Sequence, residues 1–331
     1  MADVEGLASG VIAGERRALA KALTLVESTR DDHQGEAQRL LERLLPRTGR
    51  AARVGVSGVP GVGKSTFIEA LGMYLVDEGA RVAVLAVDPS STLSGGSVLG
   101  DKTRMVRLAA SERAFVRPTP ASGSLGGVAR RTREALLVCE AAGYDVVLVE
   151  TVGVGQSEFA VASMVDSFLL LALPGAGDEL QGIKRGILEL ADVLAVNKAD
   201  GDGLRRAEQA AAEARAALRF LRSATDGWTP PVLLVSAREG RGMALVWERL
   251  LEHRRLLERS GQLEQKRAVQ QESWLFSLLR EGLEARFFAR PDVKASLDDV
   301  LAQIAARRIT PTEGARRLLA LADASASATR G

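Results

Sequence analysis

Short apolar runs separated by helical repeats organise most of the chain. Val54 to Ser57, Val82 to Val87, Val146 to Val149, Ser167 to Leu173, Val193 to Val196 and Val232 to Val235 are nearly unbroken in apolar residues. A strand with one wet face alternates between apolar and polar positions. These runs do not alternate, so both of their faces meet a core, as in a mostly parallel sheet with helices on each side. Between them apolar positions recur at helical spacing, as in Phe67, Ile68, Leu71, Tyr74 and Leu75. The alternation over residues 51–255 predicts an α/β domain. Residues 1–50 ahead of it read as a helical extension. Leu19, Ala22, Leu23 and Val26 share one face, as do Leu40, Leu41, Leu44 and Leu45, where Pro46 stops the pattern. Residues 256–331 read as charged, amphipathic helix with no further strand, ending in an Ala/Ser-rich stretch from Ala322 that is expected to fray.

Length and charge narrow the class. The 331 residues suit one large α/β domain with additions, or two domains. Lys+Arg 44 against Asp+Glu 42 is close to balance, so net charge gives no reason to expect a nucleic-acid or anionic-membrane partner. The longest apolar run, Phe168 to Leu173, cannot span a bilayer, and Met1-Ala2-Asp3-Val4-Glu5 lacks a basic leader region. A cytoplasmic location is expected. The single cysteine, Cys139, rules out an intrachain disulfide and sits in an apolar helical stretch, which marks it as a packing residue.

The chemistry concentrates at the ends of the predicted strands. Gly58-Val59-Pro60-Gly61-Val62-Gly63-Lys64-Ser65 lies between the run ending at Ser57 and the helical pattern starting near Phe67. This is the phosphate-binding loop pattern in its required context, because its glycines let backbone N–H groups face phosphate oxygens beside a helix N-terminus. Gly58, Gly61, Val62, Gly63, Lys64, Ser65 and Thr66 are therefore expected at the nucleotide. Lys64 would reach the β and γ phosphates, and the Ser65 hydroxyl would take one place on Mg²⁺.

Asn197-Lys198-Ala199-Asp200 directly follows the run Val193 to Val196. Alone it is as readily a polar turn. At the end of a buried strand in the same alternating domain it reads as a guanine site. The Asp200 carboxylate can accept from guanine N1–H and the exocyclic amine together, with Asn197 at the base edge and Lys198 along the ring. Adenine leaves that carboxylate unpaired, a mismatch that such a site rejects by roughly 10⁴-fold. Ser236 and Ala237 would complete the pocket through backbone donors.

Carboxylates supply a third constellation. Glu150 ends one apolar run and precedes Thr151-Val152-Gly153, the place of a Mg²⁺-linked acid and a γ-phosphate-sensing glycine. Asp88 ends another run, and Asp101 follows a Gly/Ser-rich loop. Each Asp alone could be a turn residue. With Ser65 they form the expected metal and catalytic set. Val154 rather than Gln follows Gly153. The usual water-positioning side chain is thus absent there, so Gln156, Asp88 or Glu150 must substitute or turnover must be slow.

Four longer motifs carry a resemblance. Val87-Asp88-Pro89-Ser90-Ser91, Gly100 to Met105, Glu150 to Glu158 and Pro174 to Lys184 are similar to those of the MeaB/ArgK group, which includes the methylmalonic aciduria type A protein. The resemblance spans nearly the whole chain and is strongest over 51–240. It implies a homodimeric P-loop GTPase that acts as chaperone to adenosylcobalamin-dependent methylmalonyl-CoA mutase, gating cofactor delivery and protecting or reactivating the enzyme. By position it carries Lys64, Ser65, Asp88, Asp101 and Glu150 into the GTP/GDP and Mg²⁺ set. It makes Asp178, Glu179, Gln181 and Lys184 part of a loop that reads the partner. Related GTPases deliver nickel, but His33, His253 and Cys139 occupy three separate helical contexts without ligand spacing. Trp274, Leu275, Leu278, Leu279, Leu283 and Phe287 give the C-terminal helix more apolar surface than edge packing needs, which points to the homodimer. A phosphate loop also serves kinases, so a phosphotransferase acting on a protein or transport component is the alternative reading, and an inert nucleotide scaffold the blandest one.

Overall fold

The computed structural model describes residues 3–87, 105–119, 125–151, 157–174, 185–221 and 223–328. Seven strands form one sheet in the order β3-β2-β4-β1-β5-β6-β7. They are β1 (Ala52–Gly58), β2 (Val82–Val87), β3 (Ala114–Thr119), β4 (Val146–Thr151), β5 (Ser167–Ala172), β6 (Val193–Val196) and β7 (Val232–Leu234). Every pairing is parallel. The chain order reverses around central β1, which places a crevice beyond its carboxyl end.

Six strands lie where the apolar runs predicted them, with ends shifted by a residue or two. The seventh, β3, lies outside those apolar runs. Its sequence Ala-Phe-Val-Arg-Pro-Thr carries Arg117 and Pro118, and proline weakens a strand assignment. It is tolerated because β3 is an edge strand that pairs only with β2.

The runs are continuous because successive residues enter different cores. Val147 and Val149 of β4 join one hydrophobic cluster, whereas Val146 and Leu148 join the other. On the first face lie helices α1 (Val4–Ile12), α2 (Arg16–Val26) and α3 (Asp31–Leu44), which pack in a single cluster with the sheet. Leu19, Leu23, Leu40 and Leu44 are fully buried there, while Leu45 has left the helix and is exposed. The second face is covered by α4 (Lys64–Asp77), the short α5 (Val106–Ala110) and, numbered later in the chain, α10 (Met243–Arg259). Among the described residues four helices intervene: α6 (Leu125–Ala141), α7 (Ser157–Ala162), α8 (Arg185–Leu188) and α9 (Leu204–Leu218). A side chain at Gly55 of β1 would come within 2.8 Å of Val161, so glycine there lets α7 approach the central strand.

The chain divides into two compact units, Met1–Gln270 and Gln271–Gly331. Helix α11 (Gln262–Ala289) spans the division and is followed by α12 (Pro291–Ala305) and α13 (Pro311–Ala328). Within the first unit, Arg267 bonds Asp166 at 2.8 Å and Gly49 O at 2.5 Å, and Gln270 donates to Val165 O at 2.9 Å. These contacts fix the root of α11. The second unit closes around Val293, Val300 and Leu318, with Phe287, Leu297 and Ile304 packed against them. The Ala/Ser-rich end is helical to Ala328, in keeping with the high helix propensity of alanine. Among the described residues no helix is long and apolar enough to cross a membrane.

Candidate functional site

The glycine loop joins β1 to α4 at the carboxyl edge of the sheet. Gly63 caps α4 with φ 92°, a left-handed conformation that glycine adopts without a side-chain penalty. At Gly58 an added Cβ would stand 2.6 Å from Leu171 O, so only glycine lets β1 run this close to β5 into the turn. Lys64 is the first residue of α4, and its Nζ donates to Gly58 O at 2.7 Å. Burial lowers the Lys64 pKa, and the carboxylates of Glu150 and Glu158 act against that shift. A cation is thus held over the loop with its charge supported from the neighbouring strand and helix.

Ser65 Oγ donates to Glu150 Oε1 at 3.1 Å, which joins the start of α4 to the end of β4. Glu150 is buried, as is Glu158 in the first turn of α7. Thr66 is exposed beside them. Glu158 closes the motif that begins at Glu150. Its burial and its charge acting on Lys64 emerge only in the fold, because the two residues lie 94 positions apart in the chain. Asp88, Asp101, Gly153 and Gln156 lie outside the described residues, as do Asp178, Glu179, Gln181 and Lys184.

The Asn-Lys-x-Asp turn reaches the same edge from β6. The Asn197 amide, which is buried, donates to Val62 O at 2.8 Å and accepts from Ala237 N at 3.0 Å. It therefore splices the glycine loop to the turn after β7. Lys198 takes a left-handed φ of 60°, and its Nζ donates to Gly61 O at 2.8 Å. Ser236 Oγ donates to Asp200 Oδ2 at 2.5 Å. The backbone N–H groups of Ser236 and Ala237, expected to face a base, donate instead to Arg241 O and Asn197 Oδ1. The structure thus brings together Gly58, Gly61, Val62, Gly63, Lys64 and Ser65 with Asn197, Lys198, Asp200, Ser236 and Ala237.

The remaining candidate ligands stand elsewhere. His253 is buried in α10, its ring bonded to Ser167 Oγ at 2.8 Å and Thr225 Oγ1 at 2.9 Å, with Asp192 Oδ1 at 3.1 Å. Cys139 is fully buried, and its thiol pKa is pushed up by that burial and by Glu140. His33 contacts Ser28 Oγ at 2.9 Å. Each is absorbed by its own surroundings.

A parallel sheet with a glycine loop, lysine and serine at the start of the first helix after it, and Asn-Lys-x-Asp at the same edge define a P-loop nucleotide-binding protein of the GTPase class. The chain belongs to the family described as methylmalonyl-CoA mutase-associated GTPase MeaB, which it matches over residues 19–292. It is 54% identical over 320 residues to a probable GTPase of Mycobacterium tuberculosis, covering 97% of this chain and 95% of that one. It is 48% identical to the GTPase ArgK of Escherichia coli, covering 92% of each. The mitochondrial methylmalonic aciduria type A homolog of Mus musculus is 46% identical, with 96% of this chain and 79% of that one covered. The crystal structure of an LAO/AO transport system kinase superposes with a TM-score of 0.79 at 40% identity, covering 98% of this chain and 99% of that one.

Proposed function

We propose that the protein is a GTP-hydrolysing chaperone that gates cofactor loading of an adenosylcobalamin-dependent acyl-CoA mutase of the methylmalonyl-CoA mutase type, and protects or reactivates it. The observation that carries the reading is the Asn197 splice between the phosphate loop and the Asp200 turn, set within a family named for its association with that mutase. One amide ties the element suited to phosphate to the element suited to guanine, so the two ends of a single nucleotide are served by one rigid edge.

The roles follow from position. Lys64 neutralises the β and γ phosphates, and the N–H groups of the loop and of the α4 N-terminus take their oxygens. Asp200 accepts from guanine N1–H and its amine. The donor set fits Mg²⁺, because the Ser65 hydroxyl and the Glu150 carboxylate are hard oxygen groups 3.1 Å apart. Mg²⁺ takes few protein oxygens and completes its shell with phosphate and water. Ser65, Glu150, Asp88 and Asp101 would hold it, and when bound it supplies charge neutralisation at the transferring phosphoryl group. Gly153 and Gln156 follow Glu150 in the chain and respond to the γ-phosphate. Asp178, Glu179, Gln181 and Lys184 form the loop that conveys the nucleotide state to the mutase. In the second unit Leu275, Phe276, Leu279 and Leu283 of α11 are exposed, a surface that a second copy of the chain would cover.

The relative described as a transport system kinase favours a second reading, phosphoryl transfer to a protein or transport component. Incubation with γ-labelled GTP or ATP separates the two. Tight binding of GTP over ATP with release of free phosphate is expected. Equal affinity for the two nucleotides, or label transferred to an acceptor, would overturn the proposal.

A further inference from the structure

We propose that Arg241 is a positioning residue for guanine selectivity, acting on the base through the peptide that carries Asp200; the inference rests on the guanine reading of the Asn-Lys-x-Asp turn. Arg241 lies after β7 in the sequence Ser236-Ala237-Arg238-Glu239-Gly240-Arg241-Gly242. Two backbone bonds fold this segment on itself: Arg241 N donates to Ser236 O, and Ser236 N donates to Arg241 O, each at 3.0 Å. Ser236 Oγ accepts from Glu239 N at 3.2 Å and donates to Asp200 Oδ2 at 2.5 Å. Gly242 then turns away at φ 87°, where a Cβ would meet Val235 Cγ1 at 2.9 Å and Leu234 O at 3.0 Å.

The guanidinium of Arg241 reaches back across this closed turn. Its Nη2 donates to Ala199 O, the carbonyl of the peptide that leads into Asp200. The other side of Ala199 is fixed as well, since its N–H donates to Val235 O at 3.0 Å. Asp200 is thereby held at two points by one six-residue segment: its carboxylate by Ser236 Oγ, and its preceding peptide plane by Arg241.

The turn needs such holding. Lys198 sits at φ 60°, a left-handed conformation unfavourable for a residue with a side chain and kept only where the surroundings determine it. Lys198 Nζ on Gly61 O secures one end of that strained corner, and Arg241 on Ala199 O secures the other. Reading guanine through two parallel hydrogen bonds is an angular demand on one carboxylate, and such pairs lose strength steeply as donors leave line. A relaxed Ala199–Asp200 peptide swings the carboxylate away from the exocyclic amine first.

The bland account is that Arg241 closes a surface turn through its ion pair with Glu239. That pair spans 3.4 Å with side chains 54% and 52% exposed, a setting in which ion pairs contribute little. The directed contact is the one to the carbonyl.

The test measures GDP and IDP affinity by calorimetry on the full-length chain with Mg²⁺, for the wild type and for Arg241→Ala, Arg241→Met, Arg241→Lys and Glu239→Ala. IDP lacks only the exocyclic amine, so the IDP to GDP Kd ratio reads the geometry of Asp200 rather than phosphate binding. The wild type is expected to prefer GDP. Arg241→Ala should narrow the ratio about tenfold, or about 1.4 kcal/mol. Arg241→Lys, which keeps a cationic donor group without the planar fork, should fall between them, and Glu239→Ala should retain the wild-type ratio. Arg241→Met preserves the stem without a donor and carries the same expectation as Ala should the Ala variant fail to fold. A ratio unchanged in Arg241→Met, with both affinities intact or lowered equally, overturns the role of Arg241 and leaves the guanine reading standing. A wild type that binds GDP, IDP and ADP alike overturns both.

Discussion

Replacement of Asn197 by alanine separates a scaffold from a simple base contact. The side chain is 2% exposed, and both ends of its amide are engaged within the protein, at Val62 O (2.8 Å) and Ala237 N (3.0 Å). Truncation removes two hydrogen bonds, each worth about 1 kcal/mol net, and leaves a buried N–H and carbonyl whose desolvation adds about 1–3 kcal/mol. The expected loss is therefore about 3–5 kcal/mol in the first unit without any nucleotide present. For a domain this large, each kcal/mol moves Tm by about 2–4 °C, so a fall on the order of 6–20 °C is expected. The assay is thermal unfolding of the nucleotide-free chain, repeated with saturating GDP. GDP at 100 times the wild-type Kd adds about 2.7 kcal/mol to the wild type by mass action, and at that same GDP concentration the increment should shrink in the variant because the phosphate loop has lost its tie to the Asp200 turn. Asn197→Asp retains an acceptor for Ala237 N but sets a carboxylate oxygen against Val62 O, so it should unfold at least as early as the alanine variant. A nucleotide-free Tm within about 1 °C of wild type for both variants, with only the GDP increment lost, would refute the reasoning, since a scaffold role requires a shift of several degrees.

Other outcomes follow from the same geometry. Asp200→Asn should move nucleotide preference from guanine toward xanthine, whose C2 carbonyl accepts from the new amide; competition binding with XDP and GDP reads this. Lys64→Ala should weaken GDP binding and abolish hydrolysis, measured as phosphate release under single-turnover conditions. The Asp192 carboxyl is held below its ordinary pKa: burial alone would raise it, but the His253 hydrogen bond, the Lys266 charge and the Phe168 N–H outweigh that effect. A folded pKa below the unfolded one gives stability that is present above about pH 4 and lost as pH falls through the folded value. Asp192→Asn should therefore be less stable than wild type at pH 7, with the gap closing as pH falls below about 4, as read by urea unfolding. Glu27 and Glu134, whose pKa values are raised chiefly by burial, contribute with the opposite sign in both proteins and cancel in that comparison. Leu283→Glu, at a position 65% exposed on α11, should convert a dimer of the 35.1 kDa chain to monomer in light scattering.

The legible parts of the molecule were those specified locally. Six strands announced themselves because consecutive residues such as Val146 to Val149 feed opposite cores and must all be apolar. The phosphate loop and the Asn-Lys-x-Asp turn were legible because their chemistry is compressed into a few neighbouring positions. β3 escaped because Arg117 and Pro118 break its apolar run, which an edge strand tolerates. The Asn197 splice escaped for a different reason. Its partners, Val62 and Ala237, stand 135 and 40 positions away, and only the parallel sheet brings β1, β6 and β7 to one edge. Glu158 and Arg241 were hidden likewise: a carboxylate in a first helical turn and an arginine in a surface turn are ordinary in sequence until the fold sets them against Lys64 and Ala199.

The central claim, a guanine-nucleotide switch read by a cobalamin-dependent mutase, is tested most directly by GTP hydrolysis with and without purified adenosylcobalamin-dependent methylmalonyl-CoA mutase. Unassisted turnover should be slow, on the order of 10⁻² s⁻¹ or below, as for unstimulated switches lacking a complete catalytic set. The mutase should accelerate it, and Asp178→Ala or Lys184→Ala should remove the acceleration while leaving GDP affinity nearly intact. A free-protein rate near 10 s⁻¹, or a wild-type rate that no such mutase changes, would contradict the account and favour the phosphotransferase reading.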